Sequence, residues 1–374
     1  MIPLIQHPGK VVRFLRQNRR PFIITLIVPC ICVLLWLVVS FSVFTPTTVS
    51  LASAREGDAL IASPIQSAGC GKSSPIAPGS SSNQTIFSGG ITRSYLLHIP
   101  RGYHDTVGQP LVLNFHGHGS SALQQQYRTG FSILADTYDV IVAYPQGVVG
   151  PDHHTGWDTG PRRNPGTNDV LFVRDLLNHL QAIWCINPHR IYATGFSNGG
   201  GMTNVLACKL AGRIAAFAAV SGAYPAVPGG CNPVRTVPFF ELHGTGDTVV
   251  PYGGSLSKGY PPVPLWLRQW AERDHCASNP TIFFHQANVI GEKWMGCSDH
   301  VTIMHYLIGG MGHIWPQHIV MRPQDSTITL NATKLIWAFF QDYSLPTGAL
   351  LYQKSYLTVG NSCSLTACLP RSGL

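Results

Sequence analysis

Ser197, Asp247 and His313 are the residues of this chain whose types and settings could carry nucleophilic chemistry. Ser197 is the centre of Gly195-Phe-Ser-Asn-Gly199. There a strand-like run, Arg190-Ile-Tyr-Ala-Thr194, passes into a segment whose Met202, Val205, Leu206 and Leu210 recur at helical spacing. Glycines on either side let the backbone turn sharply, so the serine hydroxyl stands at the apex of a strand-to-helix elbow. His313 sits on the glycine-rich segment Gly309-Gly-Met-Gly-His313. From such a loop an imidazole can reach the hydroxyl, take its proton and later return it to a leaving group. Asp247 ends His243-Gly-Thr-Gly-Asp247, and a carboxylate there could hold that imidazole in one tautomer and stabilise its charged form.

A hydroxyl that attacks a carbonyl also needs donors for the oxyanion. His116-Gly117-His118-Gly119-Ser120 follows the apolar run Pro110–Phe115, and the main-chain N–H of His118 or Gly119 could supply one donor while that of Asn198, next to the nucleophile, supplies the other. Trp157, Trp315 and Tyr252 could line an aromatic acyl pocket, although large aromatics near such a site more often serve packing. No pair of cysteines has the CxxC spacing of a zinc site, and no metal is expected.

These residues need a scaffold, and the chain supplies one. Strands are expected at Ile91–Ile99, Pro110–Phe115, Val140–Tyr144, Arg190–Thr194, Ala215–Val220, Val237–Leu242, Thr281–Ala287 and Val301–Leu307. Helices are expected at Val170–Trp184, from Asn198 onward, at Pro262–Glu272 and at Thr329–Tyr343. Apolar strands separated by helices indicate an α/β fold with a mostly parallel central sheet covered by helices on both faces. Chemistry in such sheets gathers at the carboxyl ends of the strands. The order serine, aspartate, histidine, each after an expected strand end, is that of an α/β-hydrolase triad.

Composition bounds the remaining possibilities. The chain has 374 residues, 45% hydrophobic and only 11% charged, which fits one large catalytic domain and excludes a disordered chain. The net charge of +8 is uneven: five of the 25 basic residues, Lys10, Arg13, Arg16, Arg19 and Arg20, precede Pro21, leaving 20 against 17 acidic residues. No nucleic-acid footprint remains. Residues 1–21 therefore read as a basic cytosolic tail. Phe22–Phe44 is an uncharged apolar run that reads as a transmembrane signal anchor or a long signal peptide, with possible cleavage after Leu51-Ala-Ser-Ala54. Either way the domain is exported, to the extracellular space or to the outer face of a type II membrane anchor. Residues 45–66 form a Ser/Thr/Ala-rich linker whose stalk-like composition continues to about Asn83; residues 67–343 form the catalytic domain, and 344–374 a cysteine-containing tail. Eight cysteines follow the apolar run, and an even set behind an export signal reads as disulfides. Cys276 with Cys297 is the favoured pair because both flank the Thr281–Ala287 strand, and Cys363 with Cys368 could close a loop in the tail. Asn83-Gln-Thr85 and Asn331-Ala-Thr333 are glycosylation sequons.

Several blocks together resemble the family of feruloyl esterases and poly(3-hydroxybutyrate) depolymerases. They are His116-Gly-x-Gly, Gly195-Phe-Ser-Asn-Gly-Gly200, Glu241-Leu-His-Gly-Thr-Gly-Asp-Thr-Val-Val-Pro-Tyr252, Trp270-Ala-Glu-Arg-Asp-His-Cys276 and Gly312-His-Ile-Trp-Pro316, with Ser-Ala-Gly-Cys70-Gly-Lys at the start. The resemblance spans about Ser67 to Tyr343. It implies an α/β-hydrolase esterase with Ser197, Asp247 and His313 as the triad and no metal or organic cofactor. It also implies a polymer-linked ester substrate, with hydroxycinnamoyl esters of plant polysaccharide first and polyester or acetylated xylan as alternatives. A serine peptidase on the same fold and an inactive hydrolase-fold binding protein are the rival readings.

Overall fold

Strands whose side chains alternate between two apolar layers build the scaffold. The structure, a computed structural model, describes residues 66–160, 167–317, 319–321 and 328–346. In chain order the strands are β1 (Ser80–Ser88), β2 (Ile91–Ile99), β3 (Gln109–Phe115), β4 (Ile141–Pro145), β5 (Val148–Val149), β6 (Thr155–Gly156), β7 (Ile186–Phe196), β8 (Ala216–Val220), β9 (Phe239–Gly244), β10 (Thr281–Gln286), β11 (Val289–Trp294), β12 (Ile303–Ile308), β13 (Ile319–Met321) and β14 (Ile328–Leu330). The helices are α1 (Ala122–Thr129), α2 (Phe131–Tyr138), α3 (Asp169–Ile183), α4 (Asn198–Lys209), α5 (Val263–Arg273) and α6 (Ala332–Gln341).

Ten strands pair in the order β1-β2-β4-β3-β7-β8-β9-β12-β11-β10. The central block from β4 to β12 is parallel throughout. Antiparallel pairs, β1 with β2 and β10 with β11, close the two sides. The period of two decides which layer each residue enters. Leu111, Leu113 and Phe115 of β3 join a core with Phe172, Leu176 and Leu180 of α3, Met202 and Leu206 of α4, and Trp266 and Trp270 of α5. Val112 faces the opposite layer, with Phe131 and Leu134 of α2 and Ile336, Trp337 and Phe340 of α6. The expected parallel sheet with helices on both faces is the one observed.

Local chemistry sets the helix ends. Ser121, Asn168 and Asn331 cap α1, α3 and α6 with their side chains, satisfying N–H groups that no helical turn can reach. Asn331 therefore works as a helix cap as well as lying in a sequon.

Differences from the sequence reading have physical causes. Helices α1 and α2 were not expected; in α1, Gln124-Gln125-Gln126 hides the apolar period, yet Gln125 is buried, donating to Asn114 Oδ1 at 2.9 Å. Strand β1 begins inside the stretch read as stalk, and its polar residues suit an exposed edge against β2. Strand β11, interrupted by Gly291, completes the hairpin with β10.

Among the described residues three disulfides join Cys70 to Cys185, Cys208 to Cys231 and Cys276 to Cys297. The last is the expected pair and brackets the β10–β11 hairpin. Phe22–Phe44, the 45–65 linker, Cys363 and Cys368 lie outside the described residues, and among those described no helix is long and apolar enough to cross a membrane.

Candidate active site

Parallel strand order brings the sequence candidates to one rim. Strand β3 lies beside β7 with Phe115 opposite Gly195, so the His116–Ser120 loop and Ser197 leave the sheet next to each other. On the other side of β8, β9 lies beside β12 with Gly244 opposite Ile308. The loops carrying Asp247 and His313 thus also emerge together, tied by Gly246 N–H to the Met311 carbonyl at 3.0 Å.

The elbow at Ser197 has the strain its sequence implies. Its φ is 57° and its ψ −119°, a conformation that L-residues avoid. The turn is held by Ser197 N–H donating to Val220 O at 3.1 Å and by Ser197 O accepting from Ala223 N–H at 3.0 Å. A methyl group on Gly195 would collide with the Gly199 carbonyl, and one on Gly199 with the Phe115 carbonyl. Gly117 approaches so closely that a Cβ there would lie 3.3 Å from Ser197 Cβ.

Asp247 is buried and fully engaged. Oδ1 accepts the N–H groups of Val249 and Val250 at 2.9 and 2.8 Å, and Oδ2 lies 2.7 Å from His313 Nδ1. Burial alone would raise its pKa. Hydrogen bonds from His243, His313 and Val250 overcome that effect and hold the carboxyl well below the usual range. Since Oδ2 can only accept, His313 Nδ1 carries the proton and Nε2 is left as the basic nitrogen. The His313 ring packs on Phe196 at 4.7 Å between centroids, which seats the imidazole over the residue preceding Ser197. Arg128 lies over the same Phe196 ring at 4.7 Å.

A buried ionic network that the sequence reading did not single out lies behind Asp247. His243 Nδ1 is 2.9 Å from Glu241 Oε1, and its Nε2 is 2.8 Å from Val250 O and 3.4 Å from Asp247 Oδ2. Both ring nitrogens face acceptors, which only a doubly protonated imidazole satisfies. Burial would lower the pKa of His243, yet the Glu241 carboxylate and the bond to Asp247 raise it to about 10. His305 Nδ1 lies at an ion-pair distance of 2.7 Å from Glu241 Oε2 and is hydrogen-bonded to the Glu241 carbonyl at 3.3 Å. Its Nε2 faces Tyr252 OH at 3.2 Å. The available signal was Glu241-Leu-His243: residues two apart on a fully buried strand share a face, and charges there must pair.

The remaining candidates divide. His116 is buried and neutral, its pKa lowered to about 4 mainly by burial, with Nε2 accepting Gly147 N–H at 2.9 Å; it braces the loop. The Gly119 N–H is engaged by Thr155 O at 2.7 Å, which corrects its assignment as an oxyanion donor and leaves His118 in that segment. Asn198 opens α4, where the first N–H groups have no helical acceptor; its side chain accepts Trp157 N–H at 2.8 Å.

Two of the three aromatics expected at an acyl pocket are buried in the fold. Trp157 is fully buried, donating its indole N–H to His116 O at 2.8 Å. Trp315 is buried on Thr333 Oγ1 at 3.0 Å, and the Tyr252 hydroxyl belongs to the network behind Asp247. Trp157 and Trp315 are thereby committed to packing, while Tyr252 stays half-buried. A cavity of about 530 Å³ lies between α4 and α5 against Tyr224, Tyr260, Trp266 and Trp270, and none of Ser197, Asp247 or His313 lines it.

Residues 93–230 match the family described as esterase PHB depolymerase. Over 219 residues the chain is 30% identical to "Probable feruloyl esterase C" of Aspergillus terreus, covering 56% of this chain and 71% of that one. The chain belongs to this esterase family. It is also 31% identical over 267 residues to "Feruloyl esterase B" of Piromyces equi, 68% of this chain but only 46% of that protein, so it spans less than half of that relative. In fold it resembles an acetyl xylan esterase from Aspergillus awamori, with a TM-score of 0.50 and 17% identity over 69% of this chain and 98% of the other.

Proposed function

We propose that this family member is a carboxylic ester hydrolase acting outside the cytosol, with Ser197 as nucleophile, His313 as general base and acid, and Asp247 as the carboxylate that orients His313. The observation carrying the reading is the 2.7 Å bond from His313 Nδ1 to a buried, ionised Asp247, with the ring seated on the residue before a strained serine. In this reading Ser197 Oγ gives its proton to His313 Nε2 and attacks the ester carbonyl. The oxyanion is received by the N–H groups of Asn198 and His118. His313 then protonates the departing alcohol, and a water deprotonated by the same imidazole releases the acid. No step needs a metal or organic cofactor. Three disulfides within the domain fit an oxidising, extracytoplasmic setting.

Family membership and the names of the curated relatives favour hydroxycinnamoyl esters of plant cell-wall polysaccharide as substrates. Comparing kcat/KM on methyl ferulate, p-nitrophenyl acetate and solubilised polyhydroxybutyrate tests this. Methyl ferulate is expected to be the best of the three, and Ser197→Ala to lower every rate by about 10⁴ or more. Faster turnover of the polyester, or cleavage of peptides in place of esters, would overturn the assignment.

A further inference from the structure

Two imidazoles and a carboxylate outside the Ser197–Asp247–His313 set converge at the rim where the oxyanion loop leaves the sheet. His118 belongs to that loop. Asp152 and His154 belong to the turn joining β5 to β6, more than thirty residues later. One donor atom from each of the three lies within 4.8 Å of both others. His118 Nε2 is 2.7 Å from Asp152 Oδ2, and the His118 and His154 rings are 5.2 Å apart. All three side chains are open to solvent, so an ion could reach them without any part of the fold opening.

The supporting bonds prepare these groups as ligands. His154 Nδ1 lies 2.7 Å from the Asp152 carbonyl, which can only accept. That bond fixes the Nδ1–H tautomer and leaves Nε2 with a free lone pair, the arrangement that a second partner imposes on metal-binding histidines. His154 N–H donates to Asp152 Oδ1 at 3.2 Å, which orients the carboxylate and leaves Oδ2 directed at His118. The backbone is equally constrained. Gly150 N–H donates to His154 O at 2.8 Å across the turn, Gly119 N–H to Thr155 O at 2.7 Å, and Thr155 Oγ1 to Ser120 O at 2.5 Å. The two loops that carry the donors are therefore bound to each other independently of the donors.

We propose that His118, Asp152 and His154 form a binding site for one divalent transition-metal ion, Zn²⁺ by ligand type, at the mouth of the active site. Two imidazoles and one carboxylate suit zinc, copper and nickel better than the hard cations calcium and magnesium, which take all-oxygen shells. Tetrahedral zinc with bonds of about 2.0–2.2 Å separates its ligand atoms by roughly 3.4 Å. The 2.7 Å contact of His118 with Asp152 opens only slightly when the ion replaces the proton between them, and water completes the shell. The ion takes no part in ester cleavage. It joins the loop bearing the His118 N–H to the β5–β6 turn, so occupancy stiffens the oxyanion loop. CxxC spacing could not reveal this site, because its donors come from two loops brought together by the pairing of Gly119 with Thr155.

Titration of the full, tag-free chain with ZnCl₂ by calorimetry, and with CoCl₂ by visible absorption, tests the proposal. The expected result is one ion per chain with micromolar Kd, a visible Co²⁺ band of four- or five-coordinate character, and a melting temperature that rises with Zn²⁺. His154→Ala and Asp152→Asn should each weaken binding by about tenfold or more and remove the Zn²⁺-dependent rise. His153→Ala, on the same turn but outside the donor set, should bind like wild type. Wild-type binding weaker than millimolar, or unchanged affinity in His154→Ala, would overturn the proposal.

Discussion

His243 carries a charge that the fold must hold without solvent, and replacing it with glutamine exposes that dependence. In the folded chain its two nitrogens face Glu241 Oε1 at 2.9 Å and Val250 O at 2.8 Å, and the side chain is fully buried. Its pKa moves from 6.5 to about 10, burial opposing and the Glu241 carboxylate prevailing. A raised folded-state pKa means that the stabilisation is complete below pH 6.5 and disappears as the pH climbs through about 10. The displacement corresponds to roughly 5 kcal/mol of pH-dependent stability. Glu241 titrates on the acid side: its pKa is lowered, so its contribution exists above the ordinary carboxylate range and is lost as the pH falls. Between pH 7 and 10 the difference between wild type and His243→Gln isolates the imidazolium. Equilibrium urea unfolding of the oxidised protein at a series of pH values measures it. At pH 7 the variant should be less stable by about 3–5 kcal/mol, the usual effect of removing one partner from a buried pair. Its stability should also stay nearly flat to pH 10, while wild type loses several kcal/mol. Parallel pH profiles for the two proteins would refute the buried-imidazolium assignment.

Other perturbations probe separate parts of the structure. Gly199→Ala forces a methyl group into the Phe115 carbonyl and should lower kcat by at least about 10²-fold through displacement of the nucleophile, measured as p-nitrophenyl acetate hydrolysis. Asp274 is buried with its pKa raised to about 7 by desolvation, so its ionisation opposes folding as the pH rises from 3.8 to 7. Asp274→Asn should therefore raise the melting temperature at pH 8 and leave it nearly unchanged at pH 4, by calorimetry. Cys70→Ser with Cys185→Ser opens a link spanning 115 residues and should lower unfolding free energy by about 4–5 kcal/mol on chain-entropy grounds; the short Cys208–Cys231 link, spanning 23 residues, should contribute about 3 kcal/mol.

The sequence was most legible where one physical rule acted alone. Continuous apolar runs such as Pro110–Phe115 identified buried parallel strands, and the glycines around Ser197 identified the elbow, because no other residue fits beside those carbonyls. Chain order alone then placed Asp247 and His313 in loops that the structure finds on adjacent strands. Legibility failed where tertiary contacts override local pattern. Gln125 looks like a surface residue until Asn114 accepts its amide hydrogen, and Trp157 looks like a pocket residue until its indole is found bracing His116. The pairing of Asp152 and His154 with His118 depends on a hairpin only two residues wide on each side, which leaves no periodic trace.

In the proposed mechanism Ser197 is activated by His313, held in turn by Asp247. A fluorophosphonate probe reacts only with an activated serine, so its rate of attachment, with the modified residue located by mass spectrometry, is the most direct measurement. Labelling is expected at Ser197 in wild type and not in Ser197→Ala, with rates reduced by about 10³-fold or more in His313→Ala and Asp247→Asn. Labelling at another serine, or wild-type rates in His313→Ala, would contradict the mechanism.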